Sequence, residues 1–202
     1  MSARLPSPRK AILALATVAC SLALTACDRS HECMTYVDMS VQGGDLCLGH
    51  MNYQVQLSRQ LNPYSPEDRN YLVGLPASDA QLQPGQAWFA VFMQVTNFSG
   101  KLLSAATPQD FYVEDTTGIV YKPIVLPDHV NPYFYNGGVL GGSGDAHGGI
   151  IPALDSPATY GPADGALLLF KIQITSYDNR PLTLYIRDPL NPNKFDRADL
   201  DV

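Results

Sequence analysis

The chain has 202 residues and a mass of 21.9 kDa, with 46% apolar and 16% charged residues, a balance that excludes intrinsic disorder and suits one packed core. A net charge of −6 and an isoelectric point near 5.0 argue against binding to a phosphate backbone, which runs on clustered Lys and Arg.

Residues 1–26 read as an export address. Arg4, Arg9 and Lys10 form a basic start, an apolar run extends from Ala11 through Leu24, and small residues lead to Cys27. The run is too short to span a bilayer, which needs about 20 apolar residues. Leu24-Thr25-Ala26-Cys27 resembles the lipobox of bacterial lipoproteins. That resemblance implies cleavage before Cys27, a diacylglycerol on its sulfur and an added acyl chain such as palmitate on its amino group. Cys20 is the rival acceptor, but Thr17 stands where the lipobox has a large aliphatic residue. The expected location is the extracytoplasmic face of a cell membrane, held by the lipid. Removing residues 1–26 takes away three basic residues and no acid, moving the net charge from −6 to −9, which disfavours lying flat on an anionic bilayer.

Residues 27–50 read as a lipidated tether and arm. Cys33 and Cys47 are the pair left in an oxidising compartment, and they are expected to form a disulfide that braces the arm. Two free thiols or a metal site are the alternatives. The spacing is not that of a zinc site, and no metal or other cofactor is expected.

From residue 51 to residue 202 the dominant hydrophobic period is two. Tyr53, Val55 and Leu57 alternate with Gln54, Gln56 and Ser58, as in a half-buried strand. Trp88–Asn97 carries apolar residues on both faces and reads as a central strand. Phe111 and Val113 point inward with Asp110, Tyr112 and Glu114 outward, and Thr116-Thr117-Gly118 turns the chain into a second hairpin arm. Ala166–Ile174 and Pro181–Arg187 alternate most cleanly, with Asp178-Asn179-Arg180-Pro181 as the turn between them. Helical spacing is not sustained over three turns anywhere in this region. The expected fold is all-β, an immunoglobulin-like antiparallel β-sandwich. Both remaining cysteines precede the first confident strand, so the intersheet disulfide of antibody domains is missing.

The segments Pro84–Asn97, Asp110–Asp115 and Gly118–Tyr121, followed late by Leu168–Ile172 and Asn179–Leu182, resemble the extracytoplasmic immunoglobulin-like domains carried by bacterial lipoproteins. The small secreted immunogenic antigens of mycobacteria belong to that group. The resemblance covers roughly residues 70–187 and implies a fold and a location, with no catalytic residues to carry over.

Two segments invite a functional reading. Gly137–Gly149 is rich in glycine and contains Ser143, Asp145 and His147. A phosphate-cradling loop needs a Lys and a following helix, and a nucleophile elbow needs a second Gly after the Ser; the segment has neither. It reads as an inter-strand loop or, functionally, as a ligand-adaptive one. Tyr133, Phe134 and Tyr135 just before it, with His147, form a possible ligand surface; the alternative is that the aromatics cap one end of the sandwich. Pro63-Tyr64-Ser65-Pro66 poses the same question. Asp110, Glu114, Asp115 and Asp128, and the tail residues Asp196, Asp199 and Asp201, are expected to face solvent. The function expected is a non-catalytic binding or scaffold module of the cell envelope, its partner an envelope protein or a cell-wall polymer. The competing expectation is a hydrolase using Ser143 and His147.

Overall fold

A computed structural model describes residues 45–127, 130–142, 149–161 and 163–200, together with the backbone of 36–38, all within one unit spanning Cys33–Val202. Its strands are β1 (Tyr36–Asp38), β2 (Leu46–Leu48), β3 (Met51–Leu61), β4 (Gln86–Asn97), β5 (Leu103–Ala105), β6 (Phe111–Glu114), β7 (Val120–Tyr121), β8 (Gly138–Leu140), β9 (Ile150–Ile151), β10 (Ala166–Gln173), β11 (Leu182–Arg187) and β12 (Phe195–Leu200). They form an immunoglobulin-like sandwich. One sheet runs β10-β4-β3-β2 with β9 beside β4, the other runs β1-β12-β11-β6-β7, and β5 and β8 make a separate ribbon. All pairings are antiparallel except that of β1 with β12. The segments expected as an arm thus contribute β1 and β2, one to each sheet.

The core between the sheets gathers Phe89, Val91, Met93 and Val95 from β4, Leu168, Phe170 and Ile172 from β10, and Leu182, Leu184 and Ile186 from β11. A second core lies on the other side of the first sheet, where Trp88, Ala90 and Phe92 meet Leu167, Leu169 and Leu61. This explains why β4 and β10 are apolar on both faces.

β3 departs from the expected alternation. Val55 pairs with Met93 but Leu57 pairs with Phe92, so Gln56 is an extra residue in a β-bulge. An inserted residue reverses the facing of everything after it. Tyr53 therefore points between the sheets, whereas Leu57 and Leu61 lie on the side of the second core and Leu57 stays partly exposed.

The second core is roofed by a helix the period-two reading did not include, α1 (Pro66–Tyr71), with Ser65 at its N-cap, Pro66 in its first turn, and Glu67 and Asp68 beside them. Those residue types favour a helix start. Asp68 is buried, where it accepts from Arg59 Nη1 at 3.0 Å and Nη2 at 2.5 Å and from the backbone N–H of Asn62 at 2.7 Å. The hydrogen bond from Arg59 outweighs burial and holds its carboxyl below the ordinary value.

Two acidic residues expected in solvent are buried. Asp115 sits at the end of β6, where Thr117 N and Oγ1, Ile119 N and Ser176 Oγ all donate to its carboxylate at 2.6–3.1 Å. Burial pushes its pKa up, but those bonds pull it lower still, for a net depression. Tyr121 Oη lies 2.7 Å from Ser176 Oγ, so since Ser176 gives its proton to Asp115, Tyr121 donates to Ser176. This chain pins the β6–β7 hairpin to the segment after β10. Asp196 is fully buried on the inward face of β12 beside Ile186, and neither of its oxygens has a partner. Burial raises its pKa, with Lys194 opposing and Asp188 adding to the shift. Its position follows the alternation of Ala198 and Leu200 into the core, which an acid at that register cannot escape.

Candidate functional site

The aromatic triplet and the glycine-rich segment do not form one surface in the described residues. Phe134 belongs to the second core and Tyr135 to the first. Tyr135 Oη donates to Ala106 O at 2.7 Å, and Ala106 N donates to Tyr53 Oη at 2.8 Å. The two hydroxyls thus hold both backbone groups of Ala106, where the chain leaves β5. Burial raises the pKa of Tyr53 to about 12 and that of Tyr135 well above its ordinary value, so both act as neutral hydrogen-bonding groups. Tyr133 is half-buried and meets the ring of Tyr71 edge-on at 5.1 Å. Tyr133 and Phe134 pack on the outer side of the first sheet, and Tyr135 lies between the sheets. Asn131 explains why Tyr133 sits there: its Nδ2 donates to Asn70 O and Val73 O at the end of α1, and its Oδ1 accepts from Tyr133 N.

The glycine-rich segment opens as strand β8 paired to β5, not as a loop. Gly137 has φ +69°, and a Cβ there would stand 2.7 Å from Ala106 O; one at Gly142 would stand 2.6 Å from Ser99 O. These glycines let two backbones touch. Asn97 organises the contact, with Nδ2 donating to Lys101 O and Leu140 O and Oδ1 accepting from Ser99 N and Oγ. Ser143, Asp145 and His147 lie outside the described residues, as do Cys27, Cys33, Asp128 and Asp201. Cys47 is half-buried on β2, and Tyr64 is exposed ahead of α1.

The most distinctive exposed arrangement lies on the outer face of the second sheet. The register puts Tyr112 of β6 opposite Tyr185 of β11, and Tyr185 opposite Arg197 of β12. The two tyrosine rings stack 4.7 Å apart and 4° from parallel. Lys122, just past β7, places Nζ 4.7 Å from the centre of the Tyr112 ring. Phe195 leans against Tyr185 at 5.7 Å, and its register partner is Arg187. The result is a row of cation, ring, ring and cation crossing four strands, with a third aromatic, Phe195, and a third cation, Arg187, beside it.

Burial and like charge disfavour ionisation along this row. Lys122 has its pKa lowered by burial and then by the positive charge of Arg187, with Asp110 opposing. Burial, then Tyr185 and Glu114, raise that of Tyr112. The carboxylates at its borders are engaged locally: Asp110 Oδ2 accepts from Thr107 N and Oγ1, and Asp199 Oδ1 accepts from Thr183 Oγ1. The row therefore brings phenol hydroxyls, ring edges and the Lys122 ammonium to the sheet surface. Tyr112 and Tyr185 are legible in the sequence as outward positions of strands. That they stack is not, because stacking needs the pairing of β6 with β11 across about 70 residues.

Among the described residues, no helix is long and apolar enough to cross a membrane, and no group of three or more His, Cys, Asp or Glu is placed to hold a metal ion. No protein-family model and no curated protein matches the chain by sequence. Among solved structures, the chain is similar to the yjhA protein of Bacillus subtilis at 13% identity and a TM-score of 0.50, over 79% of this chain and 97% of that one. It also resembles the ycdA protein of Bacillus subtilis, provisionally named a lipoprotein, at 9% identity and a TM-score of 0.40, over 77% of this chain and 38% of that one. A protein of Listeria monocytogenes described as functionally unknown aligns at 10% identity and a TM-score of 0.42, over 78% and 80%. The likeness to yjhA is one of fold.

Proposed function

We propose that the chain is a non-catalytic binding module of the bacterial cell envelope, anchored at the extracytoplasmic face by lipid on Cys27. It recognises an envelope partner through the row Lys122, Tyr112, Tyr185 and Arg197. The observation that carries the recognition is the half-buried stack at the sheet surface: rings fixed by a rigid sheet supply contact at small cost in entropy. The lipobox carries the anchoring. A disulfide between Cys33 and Cys47 would secure the N-terminal arm, contributing about 3 kcal/mol for a loop of roughly 15 residues.

Two experiments test this reading. Globomycin, or Cys27→Ala, shifts the mass of the protein and releases it from membranes; unchanged partitioning refutes the anchor. Cosedimentation with isolated wall polymer, and crosslinking to envelope proteins in cells, is compared between the parent and a Tyr112→Ser, Tyr185→Ser variant of unchanged circular dichroism. Loss of one named contact in the variant supports recognition by the row, and equal capture by both refutes it.

A further inference from the structure

Among the described residues, two pairs of tyrosine rings meet, and they differ in geometry. Tyr71 and Tyr133 stand edge to face, 5.1 Å apart and 79° from parallel, and Tyr71 is buried. Tyr112 and Tyr185 lie face to face, 4.7 Å apart and 4° from parallel, and both are half-buried at the sheet surface. The second pair is therefore within reach of small solutes.

The stack is held from several sides. Tyr112 and Tyr185 are register partners on adjacent strands. Their chain neighbours Phe111, Val113, Leu184 and Ile186 are fully buried, so neither strand shifts without opening the core. Lys122 Nζ stands over the Tyr112 ring and Phe195 leans on Tyr185, which restricts the turning of both rings.

A phenol that loses one electron and one proton becomes a neutral phenoxyl, whose unpaired electron is shared between the oxygen and the ring carbons ortho and para to it. Two phenoxyls couple by overlap of p orbitals at their ortho carbons, and those orbitals point along the ring normals. Parallel rings face to face are thus aligned for reaction, whereas rings edge to face are not.

We propose that Tyr112 and Tyr185 form an oxidative crosslinking site, joined into an intramolecular dityrosine by hydrogen peroxide acting through a one-electron haem catalyst. Each phenol gives up one electron and one proton. One carbon–carbon bond forms between the two ortho carbons; each of those carbons then releases its hydrogen as a proton, and the oxygen of its ring takes one up. The two electrons and two protons reduce one molecule of hydrogen peroxide to two of water. The bond ties β6 to β11 and closes a loop of about 70 residues, a constraint on the unfolded chain of the kind a disulfide supplies. This chemistry is independent of the recognition and of the lipid anchor proposed above.

The test treats the full chain, dilute in detergent micelles, with hydrogen peroxide and a small haem peptide, at a dose that consumes the exposed Tyr64 and Tyr160. The monomer is expected to lose the mass of two hydrogen atoms. Its peptide map is expected to join the peptide of Tyr112 to that of Tyr185, about tenfold over any other tyrosine link within the monomer. In urea-unfolded protein that preference disappears. Tyr112→Phe and Tyr185→Phe, each with unchanged circular dichroism, lose the link, and the crosslinked monomer unfolds at a higher urea concentration than the untreated one. Consumption of Tyr64 and Tyr160 in monomer that carries no link between positions 112 and 185 overturns the proposal. So does a link of equal yield in folded and in unfolded protein, because the stack would then select nothing.

Discussion

Replacing Asp196 by Asn is expected to stabilise the protein at neutral pH. The side chain is fully buried on the inward face of β12, and neither oxygen has a hydrogen-bond partner. A buried, unsatisfied polar group costs on the order of 1–3 kcal/mol, and a charged one more. The sign with pH follows from burial raising the carboxyl's pKa: the native state keeps its proton where the unfolded chain, near pH 4, has lost it. The penalty is therefore absent below the unfolded value and grows as pH rises toward the raised one. Asp196→Asn removes the charge in nearly the same volume. At about 2–4 °C per kcal/mol for a unit of this size, the melting temperature at pH 7 rises by roughly 3–8 °C, and the gain closes toward pH 4. Asp196→Val, matched to Ile186 opposite, gains as well. The assay is thermal unfolding followed by circular dichroism between pH 4 and pH 8. A variant less stable than the parent at pH 7 refutes the reasoning, because it would mean that the carboxylate holds a partner such as a cation.

Ser176→Ala strands Asp115 and Tyr121 together and is expected to cost about 2–3 kcal/mol, read as a lower urea midpoint at unchanged slope. Asp68→Asn breaks the bond pair to Arg59, which is one-third exposed, and costs about 1–2 kcal/mol. Because the carboxyl of Asp68 is held below its ordinary value, the difference between variant and parent is full at neutral pH and fades as pH falls through that lowered value; a difference constant down to pH 2 counts against the ion pair. Gly137→Ala meets a positive φ and the carbonyl of Ala106 at once, and calorimetry should show a loss of at least about 1–2 kcal/mol.

What the sequence made visible was governed by local periodicity. β4, β10 and β11 were legible because long alternating or doubly apolar runs persist over six residues or more. β3 was legible only to Val55, since a bulge leaves no composition signal and Gln56 looks like any outward residue. α1 has its cap residues in the sequence, but at six residues it is too short to build a helical period. Register puts Asp196 inward although its polarity points to solvent, and the hydroxyl partner of Tyr135 is not legible locally because it lies on a segment 29 residues away. The stack of Tyr112 on Tyr185 belongs to the same class: each residue's facing is local information, and their meeting is a property of topology.

The border of the first sheet at β10 is already occupied. Ile124 N donates to Leu169 O, Tyr135 N to Leu167 O, and Leu167 N to Tyr133 O, so Pro123–Ile124 and Tyr133–Tyr135 line β10 as a selvage. At the other border β2 has three residues, and in the second sheet β7 has two and β1 three. β2 covers only Met51–Tyr53 of β3, and along the rest of that strand the bulge at Gln56 interrupts the regular edge a second copy would need for strand pairing.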